Sequence, residues 1–232
     1  TGAAGTWVAG VSTRARNIEM KAESFNGYLE HDGVLDMLEW RKENNAMEED
    51  AVEKYSKHVK TIFQVGEERS DDWQTVLDYP IEFVPMSNPY DLKMGEELAV
   101  KLLWQGEALP NQLVYAGSDH AGHSHDHEHA EGEDDHHHHD GTQLRTDENG
   151  VVKMEVSSAG QWYLRTIHLV LSEEEGLTHE SNWATLTFEM KAGGNAMETA
   201  SEEVAAAFPS YIFFIGGTVL FLGLFFAIKT IL

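Results

Sequence analysis

The chain contains no cysteine, which removes disulfide bridges, thiolate metal centres and cysteine nucleophiles from consideration. Basic residues are scarce: 16 Lys and Arg stand against 40 Asp and Glu, a formal charge of -24. So acidic a chain lacks the basic footprint that binds a phosphate backbone, so nucleic acid is excluded as a partner and cations are favoured. Catalytic motifs are missing too. There is no Gly-x-Ser-x-Gly elbow, no His-Glu-x-x-His helix and no phosphate-cradling glycine loop, and a non-enzymatic role is expected. No signal peptide opens the chain, because Thr1-Gly-Ala-Ala-Gly-Thr6 runs directly into strand-like sequence; a leader removed by processing or truncation is expected. At 232 residues the chain suffices for one or two domains with a real core.

What the chain has in excess is histidine in one place. Nine of its 13 histidines fall within residues 119–140, together with eight carboxylates and no Lys or Arg. Such a stretch has almost no apolar surface to bury and reads as a solvated loop. Neutral imidazole is a borderline ligand for nickel, cobalt, zinc and copper, and interleaved carboxylates add attraction for a divalent ion. The expected metal ligands are His120, His123, His125, His127, His129, His136, His137, His138 and His139, with Asp126 and Glu128. The alternating set from His123 to His129 projects to one side of an extended chain at intervals of roughly 6 to 7 Å. Capture or delivery of a divalent transition metal ion is expected rather than catalysis, since a loop does not hold an open coordination position in fixed geometry.

The rest of the chain reads as mainly β. Residues 6–12 and 17–22 are expected strands joined by a basic turn; helical intervals follow over 22–40, a shorter helix over 48–56 and a strand over 59–65. From residue 79 the period is two, giving seven expected strands at 80–84, 97–104, 112–116, 142–146, 151–156, 161–171 and 183–190. The predicted fold is an immunoglobulin-like or prealbumin-like β-sandwich over 79–191 with the histidine-rich loop at 119–140, behind a small α+β N-terminal part over 1–78. A linker over 192–207 leads to a C-terminal transmembrane helix over 208–232. Residues 211–232 carry a single charge, Lys229, and 22 residues at about 1.5 Å each match a hydrocarbon core of roughly 30 Å. Lys229 marks the inner end, so a single-pass protein with its soluble part extracytoplasmic and its C-terminus cytoplasmic is expected.

Elsewhere, His168 lies in one expected strand while His179 and Glu180 shortly precede the next. If adjacent, they would form a second metal site of one or two imidazoles and a carboxylate; the competing reading is a core histidine held by a carboxylate. His31 and His58 read as surface residues, and the six tryptophans as core or interface anchors.

Several segments in order resemble one family. They are Gly5-Thr-Trp-Val-Ala-Gly-Val-Ser12, Phe25-Asn-Gly-Tyr-Leu29, Lys54-Tyr-Ser-Lys57, Pro80-Ile-Glu-Phe-Val-Pro85 with Asn88-Pro-Tyr90, Trp162-Tyr-Leu-Arg-Thr-Ile-His168 and Glu180-Ser-Asn-Trp-Ala-Thr-Leu-Thr-Phe-Glu189. In order and spacing they resemble the DUF4198 proteins. The resemblance implies an extracytoplasmic β-sandwich, in some members an auxiliary component of nickel or cobalt uptake transporters of the energy-coupling-factor type. Members usually open with a signal peptide and a strand pair bearing a histidine, and this chain begins after that region; its first domain is therefore expected to be incomplete. The partner implied is an integral membrane protein, a metal transporter. The alternative is a non-catalytic accessory subunit of a larger membrane complex, docked by its single transmembrane helix.

Overall fold

Eleven strands and two helices make up the computed structural model, which describes residues 3–119 and 141–191. The strands are β1 (Gly5–Ser12), β2 (Arg16–Met20), β3 (Ala51–Val65), β4 (Ile81–Pro85), β5 (Glu97–Trp104), β6 (Glu107–Ala108), β7 (Leu113–Ser118), β8 (Thr142–Arg145), β9 (Val151–Glu155), β10 (Gly160–Leu171) and β11 (His179–Met190). The helices are α1 (Ala22–His31) and α2 (Leu35–Glu43). A seven-stranded sheet has the order β1-β3-β11-β10-β7-β8, with β2 also on β3; a four-stranded sheet is built on β5, which pairs with β4, β6 and β9. Both expected parts, 1–78 and 79–191, supply strands to the larger sheet, and the described residues fall in one compact unit, Thr1–Gly194.

The long strands β3, β10 and β11 each bury one face at one end and the opposite face at the other. In β3 the buried positions are Ala51 and Glu53, then Ser56, His58, Lys60 and Ile62. Successive side chains of a strand point to opposite faces, so odd positions are covered first and even positions afterwards. Ala51, Ile167 and Leu169 pack with Phe25 and Leu29 of α1 and Met37 and Leu38 of α2. Ile62, Trp162, Leu164, Leu186 and Phe188 pack instead on Phe83, Leu98, Val100 and Leu102 of the smaller sheet. One sheet thus carries a helical layer on one face and a second sheet on the other, at opposite ends of its strands.

The helix pair is fixed locally. Asp50 accepts the Ala22 N–H at 3.0 Å and so caps α1 from outside, an acidic group at the positive end of the helix dipole. The chain turns between the helices at Gly33, whose φ is +73°. A Cβ there would meet the Tyr115 hydroxyl at 2.3 Å, and that hydroxyl donates to the Gly33 carbonyl at 3.1 Å. Glycine is required both for the backbone and for the contact.

Three expectations are corrected. Residues 51–56, expected at the end of a short helix, open the 15-residue strand β3, because pairing with β2 on one side and parallel β11 on the other outweighs a local three-residue spacing of Val52 and Tyr55. The fold class loses its transmembrane helix: among the described residues no helix is long and apolar enough to cross a membrane. The helices have ten and nine residues against the roughly 20 that a bilayer requires, and residues 208–232, to which the span was assigned, lie outside the described residues. Finally, His58, expected on the surface, is 3 % exposed.

Candidate functional site

The histidine-rich segment interrupts a hairpin. Strands β7 and β8 pair in antiparallel register from Leu113↔Arg145 to Ala116↔Thr142, and the chain between them holds the nine clustered histidines. Both feet are tied down. Asp119 donates its N–H to the Gln161 carbonyl at 3.0 Å and accepts the Gln161 N–H on its carboxylate at 2.9 Å. At the other foot Gly141 lies so close to β7 that a Cβ would sit 3.1 Å from the Ala116 carbonyl oxygen. The segment therefore leaves and re-enters at one end of the large sheet. His120, His123, His125, His127, His129, His136, His137, His138, His139, Asp126 and Glu128 lie outside the described residues.

The other candidates are divided by the sheet. His168 pairs with Asn182 and Glu180 with Val170, so His168, Asn182 and Glu180 share the face turned toward the smaller sheet, while His179, one position out of phase, faces the helices. Among the described residues no group of three or more His, Asp or Glu converges as a metal site. His168 donates from Nδ1 to Gln112 Oε1 at 2.9 Å, an assignment that follows because the Gln112 amide nitrogen is occupied by Thr166 Oγ1 at 2.9 Å and the Ile167 carbonyl at 3.2 Å. Burial holds the His168 pKa below its ordinary value, leaving the ring neutral with a bare lone pair on Nε2.

His179 sits in the helical core at 3 % exposure. Thr178 Oγ1 accepts from the Val52 N–H at 2.9 Å and donates to the Val52 carbonyl at 3.1 Å, so His179 Nδ1 is the donor in their 2.7 Å bond. Among the described residues its buried Nε2 has no partner, and the ring packs on Phe25 with centroids 4.7 Å apart. Burial, and then the nearby Arg41 charge, lower its pKa to about 4. This is a structural histidine, held by a hydroxyl rather than by a carboxylate.

Two buried polar clusters gave no signal in the sequence. Around His58, Ser56 donates to Asn182 Oδ1 at 2.9 Å, so its oxygen accepts from His58 Nε2 at 3.1 Å, and Nδ1 accepts from Ser12 Oγ at 2.9 Å. Beside it Lys60 and Glu82 form an ion pair at 2.7 Å, each side chain 2 % exposed. In the helical layer Glu53, 2 % exposed, accepts from Ser181 and from Tyr28 at 3.4 Å, and burial raises its pKa. Period-two spacing placed Lys60 and Glu82 on strands, while Glu53 and Ser56 fell in the helix expected over 48–56; pairing between segments more than 100 residues apart decides which of these residues are buried.

No curated protein and no solved structure matches the chain. A family model described as a domain of unknown function matches residues 2–170, from before β1 to within β10, and therefore covers the β7–β8 hairpin and His168. By that match the chain belongs to the DUF4198 family.

Proposed function

We propose that this protein captures divalent transition metal ions of the nickel, cobalt, zinc or copper type and presents them to a membrane transporter, without catalysing a reaction. The observation that carries the reading is the density of imidazoles: nine histidines and eight carboxylates within residues 119–140, on a connection whose two feet are held at a hairpin. A solvated connection needs no histidine, whereas soft-to-borderline cations need several. The many ligands suit capture and handover, because ions exchange readily between overlapping sets of donors. The chain's charge of -24 raises the local concentration of cations around it. The resemblance to auxiliary components of nickel and cobalt uptake systems supports a membrane transporter as the receiving partner, with the segment on the outer side of the membrane.

The test is calorimetric titration of the whole chain with nickel, cobalt, zinc and copper chlorides at pH 7.5, beside a variant in which all nine histidines of the segment are Asn. The variant is expected to lose most of the metal uptake. Equal uptake by the two proteins sinks the proposal.

A further inference from the structure

The face shared by His168 and Glu180 carries a second set of donors, independent of the histidine-rich segment. Asn182, the partner of His168, lies two residues after Glu180 on β11, which makes His168 and Glu180 diagonal neighbours. On adjacent antiparallel strands such neighbours lie roughly 7 Å apart at Cβ. That span suits a cation bound at about 2 Å by an imidazole nitrogen and a carboxylate oxygen.

Each donor is prepared for this. The His168 ring is fixed by Gln112, itself locked by hydrogen bonds to Thr166, Ile167 and Leu113, and by the Trp104 ring at 4.8 Å. A ligating histidine ordinarily donates its second ring N–H to a carbonyl or carboxylate, which sets the tautomer and aims the free nitrogen. The Gln112 carbonyl oxygen takes that part here. His168 is half-buried, and among the described residues its Nε2 has no hydrogen-bond partner. Glu180 is half-buried too; one oxygen accepts from Ser172 Oγ at 2.9 Å, and the other accepts no hydrogen bond from the described residues. The neighbouring ammonium of Lys54 feels Glu180 but is drawn to Glu174 at 2.6 Å.

We infer that His168 Nε2 and the Glu180 carboxylate form an ordered binding site for a borderline divalent cation such as zinc or nickel, with Gln112 as its positioning residue. Two protein ligands are fewer than a structural zinc site uses, and water completes the coordination. Such a site exchanges its ion. It differs from the segment at residues 120–140 in holding its donors on paired strands rather than on a connection.

Carbethoxylation with diethyl pyrocarbonate tests this on the full chain, because the reagent modifies an imidazole only when it is unprotonated and unliganded, and peptide mass spectrometry reads each histidine separately. At a zinc chloride concentration about ten times the dissociation constant, modification of His168 is expected to slow about tenfold by mass action. Glu180→Gln removes the charge while keeping the shape, and should abolish the protection; Gln112→Leu should weaken zinc binding about 10- to 100-fold. His168 modified at the same rate with and without zinc overturns the inference. So does protection that persists undiminished in Glu180→Gln, since the carboxylate then is no ligand. Peptides spanning residues 120–140 report on the other proposal in the same digest, so failure of one is told apart from failure of the other.

Discussion

At the scale of single residues, buried polar groups set the pH range in which the fold is stable. The His179 pKa is about 4 in the folded protein against about 6.5 in an unfolded chain. Above pH 6.5 neither state binds the proton and His179 adds no pH dependence. As pH falls from 6.5 to 4 the unfolded state alone takes it up, and stability drops by about 3 kcal/mol before levelling off. Urea unfolding at pH 7 and pH 4.5 should therefore show a smaller pH difference for His179→Leu than for the parent, with similar stability of the two at pH 7. An unchanged acid limb would contradict the burial of the ring. The Lys60–Glu82 pair makes a different prediction. Glu82 also accepts the Leu77 N–H on both oxygens at 3.1 Å, so Lys60→Met leaves a buried carboxylate without its cation and should cost about 3–5 kcal/mol. The double variant Lys60→Met/Glu82→Gln keeps the acceptor for Leu77 without the stranded charge. Its denaturant midpoint should lie above that of the single variant, and a lower one would refute the account.

At the scale of elements, what was legible in the sequence is what local chemistry fixes. Strands β4, β5 and β7 to β10 fall where alternation and turn residues place them, β11 opens four residues earlier than expected, the two-residue β6 was not anticipated, and α1 follows from Phe25 and Leu29 one turn apart. The opening of β3 was not legible. Its alternation slips between Glu53 and Ser56, the point at which cover passes from the helices to the smaller sheet, and a strand that changes its buried face mimics the three-residue spacing of a helix. The same slip hid His58, whereas plain alternation along β11 puts His179 on the face opposite to Glu180 and His168. The β7–β8 hairpin allows a prediction at this scale. Its register runs to Ala116↔Thr142, and among the described residues Asp119 and Gly141 seat its two feet. Replacing residues 120–140 by a short Gly-containing turn should therefore preserve the fold and, through the reduced entropy of closing a shorter loop, stabilise it by about 1–2 kcal/mol. A fall in the thermal midpoint would show that the segment contributes to the folded core.

For the whole molecule, charge and histidine content act together. With 40 acidic residues against 16 basic ones, the proposed capture would be steered by a field reaching on the order of the Debye length, about 8 Å at physiological ionic strength. Association with metal should accordingly slow as sodium chloride is raised from 20 to 500 mM, while the imidazole contribution to affinity, a short-range bond, changes little. Acidity acts the opposite way. An imidazole of ordinary pKa, about 6.5, loses its metal-binding lone pair as pH falls through that value, whereas an ordinary carboxylate stays charged down to about pH 4.5. Metal should then be released between pH 7.5 and 5.5 without unfolding of the sheets, since only part of the His179 penalty has accrued by pH 5.5. Stopped-flow mixing with nickel across the salt series, and equilibrium dialysis across the pH series with far-ultraviolet circular dichroism on the same samples, separate the two contributions. Metal retained at pH 5.5 would assign capture to the carboxylates and remove histidine from the mechanism; metal lost only together with the β-sheet signal would assign release to unfolding.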